Sequence, residues 1–418
     1  FVGTYRASER APPRYNGRFA QVDGLRALSI IWVFSLHIIF ILGEFLSAQD
    51  FNAVSSRPEY RYIIHGNFGV DIFFVISGFL IGGLLLAEIE KKGSLNLRRF
   101  YLRRFLRLCP VYFFILVATL LWHAVSAHHR VNPSHAWYNF LYLNNFVPVE
   151  KQYMAWTWSL AIEEQFYLIC PLLILWAYKK GLRLGVLLPS LVLLAAVVSY
   201  ALVVRDPNPF YFLAHPVLNS HEFSRYFDVL YDKTYCRFGE LLVGVWVAAI
   251  VRNENRSPRF FKNGTVMGLF ALVGFSLSFY VLNRISYSSW NNTYPDWFMA
   301  SYRLVFAIGV GLILLSTFSI KVKNESFWSS FSTFVPRLIT KFLSLRFFYP
   351  IAQLSYSIYL VHSIVIYLVV EAELPKRVGQ AVDLGFLGFI YAKSAVLTLV
   401  ICTLLYYLIE KPIMQRRP

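Results

Sequence analysis

The chain contains, near its N-terminus, the stretch Asp23-Gly-Leu-Arg26-Ala-Leu-Ser-Ile-Ile-Trp-Val-Phe-Ser-Leu-His37-Ile-Ile-Phe-Ile-Leu42. It is long and apolar enough to cross a bilayer as a helix, yet it carries an arginine near its beginning and a histidine inside it. Eleven residues of α-helix turn through three revolutions plus about 20° and rise about 16 Å, so Arg26 and His37 share one face at two depths. This face can present a charged group at one end and a reactive group inside the membrane.

The whole chain is far more apolar than a soluble protein. Of its 418 residues, 57% are hydrophobic and 15% are charged, which predicts a polytopic all-α membrane protein. The formal net charge is +17. The basic residues lie between the apolar runs, where they act as topology signals and contact anionic lipid headgroups, so nucleic-acid binding is not expected. The four cysteines show no CxxC spacing, so neither a disulfide framework nor a metal site is predicted.

Ten apolar runs are long enough to span a bilayer. They cover about residues 25–45, 67–88, 105–126, 156–178, 183–204, 234–251, 264–284, 300–320, 350–371 and 385–409. We therefore expect a basic cytoplasmic arm at 1–22, one integral membrane domain at 23–412 and a cytoplasmic tail at 413–418.

The basic residues also predict the orientation. With both termini in the cytoplasm, the segments on that side carry more Lys and Arg than the outer loops, as the positive-inside rule requires. The outer loop 205–233 is rich in aromatic and polar residues, which fits either a sugar-binding surface or an interfacial aromatic belt. The segment 321–347 alternates aromatic with basic residues and is expected to lie along the cytoplasmic surface.

Ionisable side chains inside the spans are functional candidates, because placing one at mid-bilayer costs about 2.5–3.5 kcal/mol. The candidates are His37, Asp71, Glu163, Glu164, Glu240 and His362. His37 lies about 18 Å above the inner end of its helix, and Glu163 about 10 Å below the outer end of its own, in a core about 30 Å thick. At this common level a histidine and a carboxylate can form a general base with its orienting partner, or a proton relay.

A second group of candidates lies on the predicted cytoplasmic side, in Leu97-Arg98-Arg99-Phe-Tyr-Leu-Arg103-Arg104-Phe-Leu-Arg107. Arginines three and four residues apart share one face of a helix, and guanidinium groups suit phosphate oxygens. The cluster predicts a docking site for an anionic cofactor. A topology anchor on anionic lipids is the alternative.

Several motifs occur in order along the chain. They are Asp-Gly-Leu-Arg with a histidine eleven residues beyond the arginine, Gly-Val-Asp-Ile-Phe-Phe-Val-Ile-Ser-Gly-Phe-Leu-Ile, Arg-Arg-Phe-Leu-Arg-Leu-Cys-Pro, Trp-Ser-Leu-Ala-Ile-Glu-Glu-Gln-Phe-Tyr-Leu, Tyr-Ser-Ile-Tyr-Leu-Val-His and a late Glu410-Lys411-Pro412. Together they resemble the membrane acyltransferase-three family. The resemblance implies a ten-helix bundle in a bacterial cytoplasmic membrane. Such a bundle transfers an acyl group, often acetyl, from cytoplasmic acyl-coenzyme A to a carbohydrate or another hydroxyl acceptor. No metal is implied.

The resemblance also implies roles for single residues. His37 matches the essential histidine and Arg26 the arginine paired with it. Arg104 and Arg107 match the cytoplasmic arginine pair, and Glu163 matches the glutamate of the Trp-Ser-Leu motif. Val361, which precedes His362, departs from the tryptophan common there in the family.

The resulting hypothesis is an acyl transfer centred on His37. Coenzyme A phosphates would bind Arg98, Arg99, Arg103, Arg104 and Arg107, and the thioester would reach His37 past Arg26. His37 would act as general base or carry the acyl group transiently, with Glu163 orienting its ring and Asp71 as a further catalytic residue. Residues expected to contact the acceptor or to support these groups are Trp158, Glu164, Tyr356 and His362.

A transporter is the competing hypothesis. In that case His37, Glu163 and His362 would form a proton relay that drives export of a glycan or lipid. Transporters of this kind usually show inverted repeats and matched helix breaks, and the sequence shows neither. The identity of the acceptor and the oligomeric state stay open.

Overall fold

The computed structural model describes residues 14–15, 18–55, 57, 60, 62–125, 133–206, 220–252, 263–285, 294–318, 327–377 and 382–416. Within these residues, ten helices are long and apolar enough to cross a membrane. The prediction of a polytopic, all-α membrane protein is therefore confirmed for the described part of the chain. The orientation of the termini stays a prediction.

The ten long helices match the ten apolar runs one for one. They are α1 Ala20–Gly43, α2 Phe68–Lys92, α3 Leu97–Val125, α4 Trp158–Lys179, α5 Leu184–Arg205, α6 Thr234–Arg252, α7 Gly264–Arg284, α8 Asp296–Phe318, α9 Phe348–Glu373 and α10 Leu384–Leu405.

Shorter elements connect the long helices. Two antiparallel strands of two residues each, β1 Arg14–Tyr15 and β2 Arg18–Phe19, precede α1. The short helices are Ala48–Ser55, Trp137–Phe140, Ser220–Tyr226, Phe327–Leu343 and Lys411–Gln415. Single turns of 3-10 or π geometry are Ile64–Asn67, Pro133–His135, Asn144–Phe146, Val149–Lys151, Ala155–Thr157, Phe227–Tyr231, Leu374–Arg377 and Tyr406–Glu410.

Some of the predicted features lie outside the described residues. Positions 1–13 and 16–17 of the predicted basic arm, and 207–219 of the long loop, belong to this group. The domain boundaries at 22/23 and 412/413 stay predictions.

The helices α2 and α6 approach each other most closely at two glycines. A Cβ atom on Gly78 would lie 1.8 Å from the carbonyl oxygen of Leu241, and one on Gly244 would lie 2.0 Å from that of Val75. Small residues allow this approach, and helix association in membranes relies on such packing because lipid offers no hydrophobic drive. The α2–α6 pair forms the centre of the bundle.

The other helices surround this pair. α1 packs along α2 and α9, α9 packs along α10, α5 packs along α6, and α7 packs along α8. The helix Phe327–Leu343 packs on α1 and α7 and exposes Phe334, Leu338 and Phe342 on one face. This exposed apolar face fits the expected location at a membrane surface, and the depth of this helix stays a prediction.

A polar cap covers the end of the bundle where α3 ends and α4 begins. The Nε2 of Gln152 donates a hydrogen bond to Asp232 Oδ2 at 2.7 Å, and Lys233 Nζ donates to the carbonyl oxygen of Asn145 at 2.6 Å. Asn145 Nδ2 donates to Thr234 Oγ1 at 2.9 Å. These bonds tie the turns between α3 and α4 to the start of α6.

The close contact of α2 with α6 can be tested by adding a methyl group at the glycine that allows it. We expect Gly78→Ala to lower the free energy of unfolding by about 1–3 kcal/mol, because the added methyl group must push the two helices apart. Thermal unfolding of the purified protein in detergent measures the loss. Gly388→Ala on α10 is the control: a Cβ there meets nothing within 4 Å, so stability should be unchanged or higher. Equal unfolding temperatures for Gly78→Ala and the wild type would contradict the packing.

Candidate functional site

The candidate residues fall around two neighbouring cavities formed by described residues. The smaller, of about 90 Å³, is lined by Arg26, Arg104, Arg107, Glu163 and Tyr356 among others; we call it the arginine cavity. The larger, of about 560 Å³, is lined by His37, Trp158 and a largely aromatic wall; we call it the histidine cavity. The sequence predicted both groups of residues but not their division between two spaces.

Arginines from α1 and α3 face each other across the arginine cavity. Arg26 Nη2 donates a hydrogen bond to Ser355 Oγ on α9 at 2.9 Å, which fixes its guanidinium at the wall. Arg104 and Arg107 line the cavity from α3, and the guanidinium of Arg104 lies 5.8 Å from the centre of the Phe100 ring. The Tyr356 hydroxyl donates to the carbonyl oxygen of Leu108 at 2.9 Å and so joins α9 to α3. Three guanidinium groups thus share the lining of one small cavity.

Glu163 supplies the acidic group of this cavity. The Tyr167 hydroxyl donates to Glu163 Oε2 at 3.1 Å, and Ser77 Oγ in turn donates to the Tyr167 oxygen at 2.5 Å. Arg26 and Arg107 are close enough for their charges to act on this carboxyl group. Glu163 thus accepts a hydrogen bond from Tyr167, which is itself bonded to Ser77 of α2, and shares the cavity lining with Arg26 and Arg107.

The remaining candidates of the arginine cluster lie apart from the cavity. Arg98 and Arg99 are exposed at the start of α3, and Arg103 is partly exposed; none of the three is among the described residues that line it. Glu164 is half-buried beside Arg104 and also lies outside the lining. Arg104 and Arg107 are three residues apart on α3, so their side chains can enter the same cavity.

His37 lines the larger cavity from the middle of α1. Its Nδ1 lies 2.8 Å from the carbonyl oxygen of Val33, one turn earlier. A carbonyl oxygen only accepts hydrogen bonds, so this contact requires the proton on Nδ1 and leaves Nε2 with its lone pair. The backbone of α1 therefore sets the tautomer that a general base needs.

His362 on α9 is fully buried against His37. The two rings meet edge to face with their centres 4.6 Å apart. The Nδ1 of His362 lies 2.7 Å from the carbonyl oxygen of Tyr359, and Ser363 Oγ donates to its Nε2 at 3.2 Å. His362 supports the His37 ring by contact and does not itself line either cavity among the described residues.

The structure therefore separates two residues that the sequence placed side by side. Glu163 lines the arginine cavity and bonds to Tyr167, whereas His37 lines the histidine cavity and bonds to Val33. A common depth follows from counting residues, but the direction in which each helix turns its side chain does not. The proposed orienting role of Glu163 toward the imidazole finds no direct contact among the described residues.

The histidine cavity combines apolar walls with a few hydrogen-bonding groups. Asn67 and Gln152 belong to its lining, and each has a buried side-chain amide oxygen without a hydrogen-bond partner among the described residues. Tyr153, just before α4, adds a phenol; burial raises the pKa of Tyr153 above its usual value, so the phenol stays protonated at neutral pH. Such a lining suits a bulky ligand that carries hydroxyl groups.

Asp71 lies in a buried ion-pair cluster instead of a cavity. Its two carboxylate oxygens accept hydrogen bonds from Arg237 Nη2 at 3.0 Å and Arg303 Nη1 at 2.7 Å. Arg237 Nε also pairs with Glu240 Oε1 at 2.9 Å. The cluster joins α2, α6 and α8, and Asp71 is not among the described residues that line either cavity. This placement favours a structural role for Asp71, and its catalytic role stays a prediction.

Aromatic rings separate this cluster from the histidine cavity. The guanidinium of Arg237 lies 5.3 Å from the centre of the Trp158 ring, and that of Arg303 lies 4.5 Å from the Tyr231 ring, in the range of cation–π contacts. Trp158 and Tyr231 both line the cavity. The sequence analysis did not single out these two arginines. Both are charged residues inside apolar spans, and this was the criterion by which Asp71 was selected.

The described residues contain no group of three or more His, Cys, Asp and Glu side chains placed to hold a metal ion. Cys109, Cys170 and Cys402 are buried free thiols, and Cys236 is partly buried. These cysteines are packing residues.

Ten membrane-length helices, with two cavities among them that are lined by ionisable side chains, define a polytopic integral membrane protein. Comparison with known proteins identifies the family to which this membrane protein belongs. The model of the acyltransferase-three family, described as an acyltransferase domain, matches residues 19–407. The chain belongs to this family, and the match includes every candidate site residue.

Several curated bacterial proteins are similar to the chain. Peptidoglycan O-acetyltransferase OatA of Listeria monocytogenes is 34% identical over 215 residues, which is 47% of this chain and 31% of that protein. O-acetyltransferase OatA of Staphylococcus aureus is 24% identical over 434 residues, or 98% of this chain and 59% of that protein. A putative O-acetyltransferase of Staphylococcus aureus strain COL is 28% identical over 415 residues, which is 94% of this chain and 56% of that protein. The aligned regions thus cover less than two thirds of these relatives, and no solved structure matches the chain significantly.

The structural task of Asp71 makes a testable prediction. We expect Asp71→Ala to lower the free energy of unfolding by about 3–5 kcal/mol, because it leaves two buried guanidinium groups without their shared carboxylate. Thermal or chemical unfolding in detergent measures the change.

A surface ion pair provides the control for this experiment. Glu90 accepts a bond from Arg252 at 2.7 Å, and both side chains are substantially exposed. Glu90→Ala should therefore cost less than about 1 kcal/mol. If Asp71→Ala were no less stable than Glu90→Ala, Asp71 would not hold the three helices together.

Proposed function

We propose that the protein is a membrane O-acyltransferase that moves an acyl group, in the simplest case acetyl, from cytoplasmic acyl-coenzyme A to a carbohydrate hydroxyl. The observation that carries the proposal is His37 in the wall of a large cavity with its Nδ1 proton held by the backbone. A neutral imidazole with an open Nε2 can remove a proton from a hydroxyl. Membership of the acyltransferase-three family supports the same reaction class.

The charges of the arginine cavity suit the phosphate groups of the donor, while its volume of about 90 Å³ is too small to enclose a whole coenzyme A molecule. Coenzyme A carries several phosphate groups, and guanidinium groups bind phosphate oxygens through charge-assisted hydrogen bonds. Arg104 and Arg107 would hold these groups, while Arg26, one helix away on α1, would lie along the path of the thioester. The apolar residues of α2 that share this lining would keep water from the thioester.

The reaction then needs one base and no change of oxidation state. Nε2 of His37 takes the proton of the acceptor hydroxyl while its oxygen attacks the thioester carbonyl carbon. The carbon–sulfur bond breaks, and the proton passes from His37 to the leaving thiolate of coenzyme A. In the second form of the mechanism, Nε2 itself attacks the thioester carbonyl and the thiolate of coenzyme A leaves. The acceptor hydroxyl then attacks the acyl-imidazole, the carbon–nitrogen bond breaks, and the hydroxyl proton ends on the thiolate.

The histidine cavity suits the acceptor. Its volume of about 560 Å³ exceeds the needs of an acyl group and accommodates a sugar unit with its neighbours. The side-chain amides of Asn67 and Gln152 in its lining provide polar groups for sugar hydroxyls. Because relatives carry the names peptidoglycan O-acetyltransferase and O-acetyltransferase, we propose a glycan of the peptidoglycan type as acceptor. The bacterial cytoplasmic membrane would be its location.

A transporter remains the second candidate, because the two cavities lie next to each other and buried histidines line or support one of them. Consumption of the thioester separates the two functions. An acyltransferase releases free thiol from acetyl-coenzyme A, whereas a transporter or flippase moves its cargo without doing so.

Replacing His37 tests the proposed base. We expect His37→Ala to lower the rate of acetyl transfer to peptidoglycan fragments by about 100- to 10,000-fold, the usual contribution of a general base. Purified protein in lipid nanodiscs, acetyl-coenzyme A and mass spectrometry of the fragments provide the measurement. His135→Ala is the control, because His135 stacks on Tyr138 in a turn and is not among the described residues that line either cavity. Full transfer by His37→Ala would refute the mechanism.

The arginines provide a second test, because the structure divides the predicted cluster. We expect Arg104→Ala or Arg107→Ala to raise the KM for acetyl-coenzyme A by about tenfold or more, since each loses a charge-assisted contact of about 1.5–3 kcal/mol. The exposed Arg98→Ala and Arg99→Ala should change it by less than about threefold. Similar effects at all four positions would show that the donor binds along the exposed start of α3 and not in the arginine cavity.

A further inference from the structure

Two residues form a wall that the arginine and histidine cavities share. Among the described residues, Val70 of α2 and Tyr359 of α9 line both spaces. Both side chains are almost completely buried, at 5% and 6% exposure. The shortest connection between the proposed donor and acceptor sites therefore runs past these two side chains.

The hydroxyl of Tyr359 is bonded on both sides of this wall. It donates to the carbonyl oxygen of Trp156 at 2.6 Å and accepts from Ser159 Oγ at 2.7 Å. Trp156 lines the histidine cavity, whereas Ser159 lines the arginine cavity. Trp156 Nε1 also donates to the carbonyl oxygen of Leu360 at 3.2 Å, which fastens α9 to the beginning of α4. These bonds hold the Tyr359 ring in one position between the cavities.

Tyr359 also contacts the support of the candidate base. Its carbonyl oxygen lies 2.7 Å from Nδ1 of His362, and the two rings are 5.6 Å apart. His362 in turn packs edge to face on His37. One residue thus separates the two cavities and touches the residue that supports the His37 ring.

We propose that Tyr359 is a partition residue that determines whether the acyl group passes to the acceptor hydroxyl or to water. This inference rests on the proposed function. In productive transfer, the hydroxyl oxygen forms the new ester bond, the carbon–sulfur bond breaks, and the hydroxyl proton ends on the thiol of coenzyme A. In the wasteful reaction, water forms the new bond and gives a carboxylic acid and the same thiol. The Tyr359 ring blocks the wasteful route by keeping water of the larger cavity from the thioester.

The experiment compares two rates in the full chain, purified in lipid nanodiscs. Free thiol released from acetyl-coenzyme A measures total cleavage, and acetylated peptidoglycan fragments measure transfer. Their difference is hydrolysis. We expect Tyr359→Ala to raise the ratio of hydrolysis to transfer at least about tenfold, which corresponds to a change of about 1.4 kcal/mol between the two barriers.

Two other tyrosines of the same helix provide matched controls. Tyr356 lines only the arginine cavity, and Tyr367 lines only the histidine cavity, among the described residues. Tyr356→Ala and Tyr367→Ala should slow transfer without raising the ratio. Tyr359→Phe keeps the ring but loses the bonds to Trp156 and Ser159, so its ratio should lie between those of the wild type and Tyr359→Ala.

Val70→Ala provides an independent variant should Tyr359→Ala fail to fold. It shortens the other side chain of the shared wall, and alanine is the better helix former, so α2 is expected to persist. The ratio should again rise. A tyrosine that only stabilises the fold would lower cleavage and transfer by the same factor at an unchanged ratio, and this result for Tyr359→Ala or Val70→Ala would overturn the inference. Absence of thiol release and of transfer in the wild type would instead refute the proposed function.

Discussion

The carboxylate of Asp71 holds the centre of the bundle together. It bonds simultaneously to Arg237 of α6 and Arg303 of α8. Because lipid cannot solvate charged groups, breaking these ion pairs inside the membrane is costly. The cluster thereby fixes α2 against two other helices. α2 in turn carries Val70 and Ser77, so the walls of both cavities depend on a pairing that takes no part in either lining.

The second constraint is the hydrogen bond between His37 and the backbone of its own helix. Many catalytic histidines need a carboxylate to fix the proton on one ring nitrogen. Here the Val33 carbonyl oxygen supplies that acceptor, and the ring of His362 limits rotation. Glu163 is therefore available for the arginine cavity, whose lining it shares with Arg26 and Arg107, and its carboxyl group accepts a hydrogen bond from Tyr167.

The sequence predicted the features that depend on distance along the chain. The ten spans follow from runs of about 20 apolar residues, and the depth of His37 follows from a rise of 1.5 Å per residue. Rotation of one helix against another depends on packing, as at Gly78 and Gly244, and no local pattern reveals it. For this reason the separation of Glu163 from His37, the pairing of Asp71 and the shared wall at Tyr359 required the structure.

Two adjoining cavities fit a reaction whose substrates come from opposite sides of a membrane. Coenzyme A is large, charged and cytoplasmic, while a cell-wall glycan is assembled outside, so neither would need to cross the bilayer if the sites met inside it. In direct transfer the acceptor oxygen must reach the thioester carbon, so the two sites have to meet at the wall that Val70 and Tyr359 share. A wide opening in this wall would also admit water to the thioester. A thin wall built from few side chains is therefore what the proposed chemistry requires.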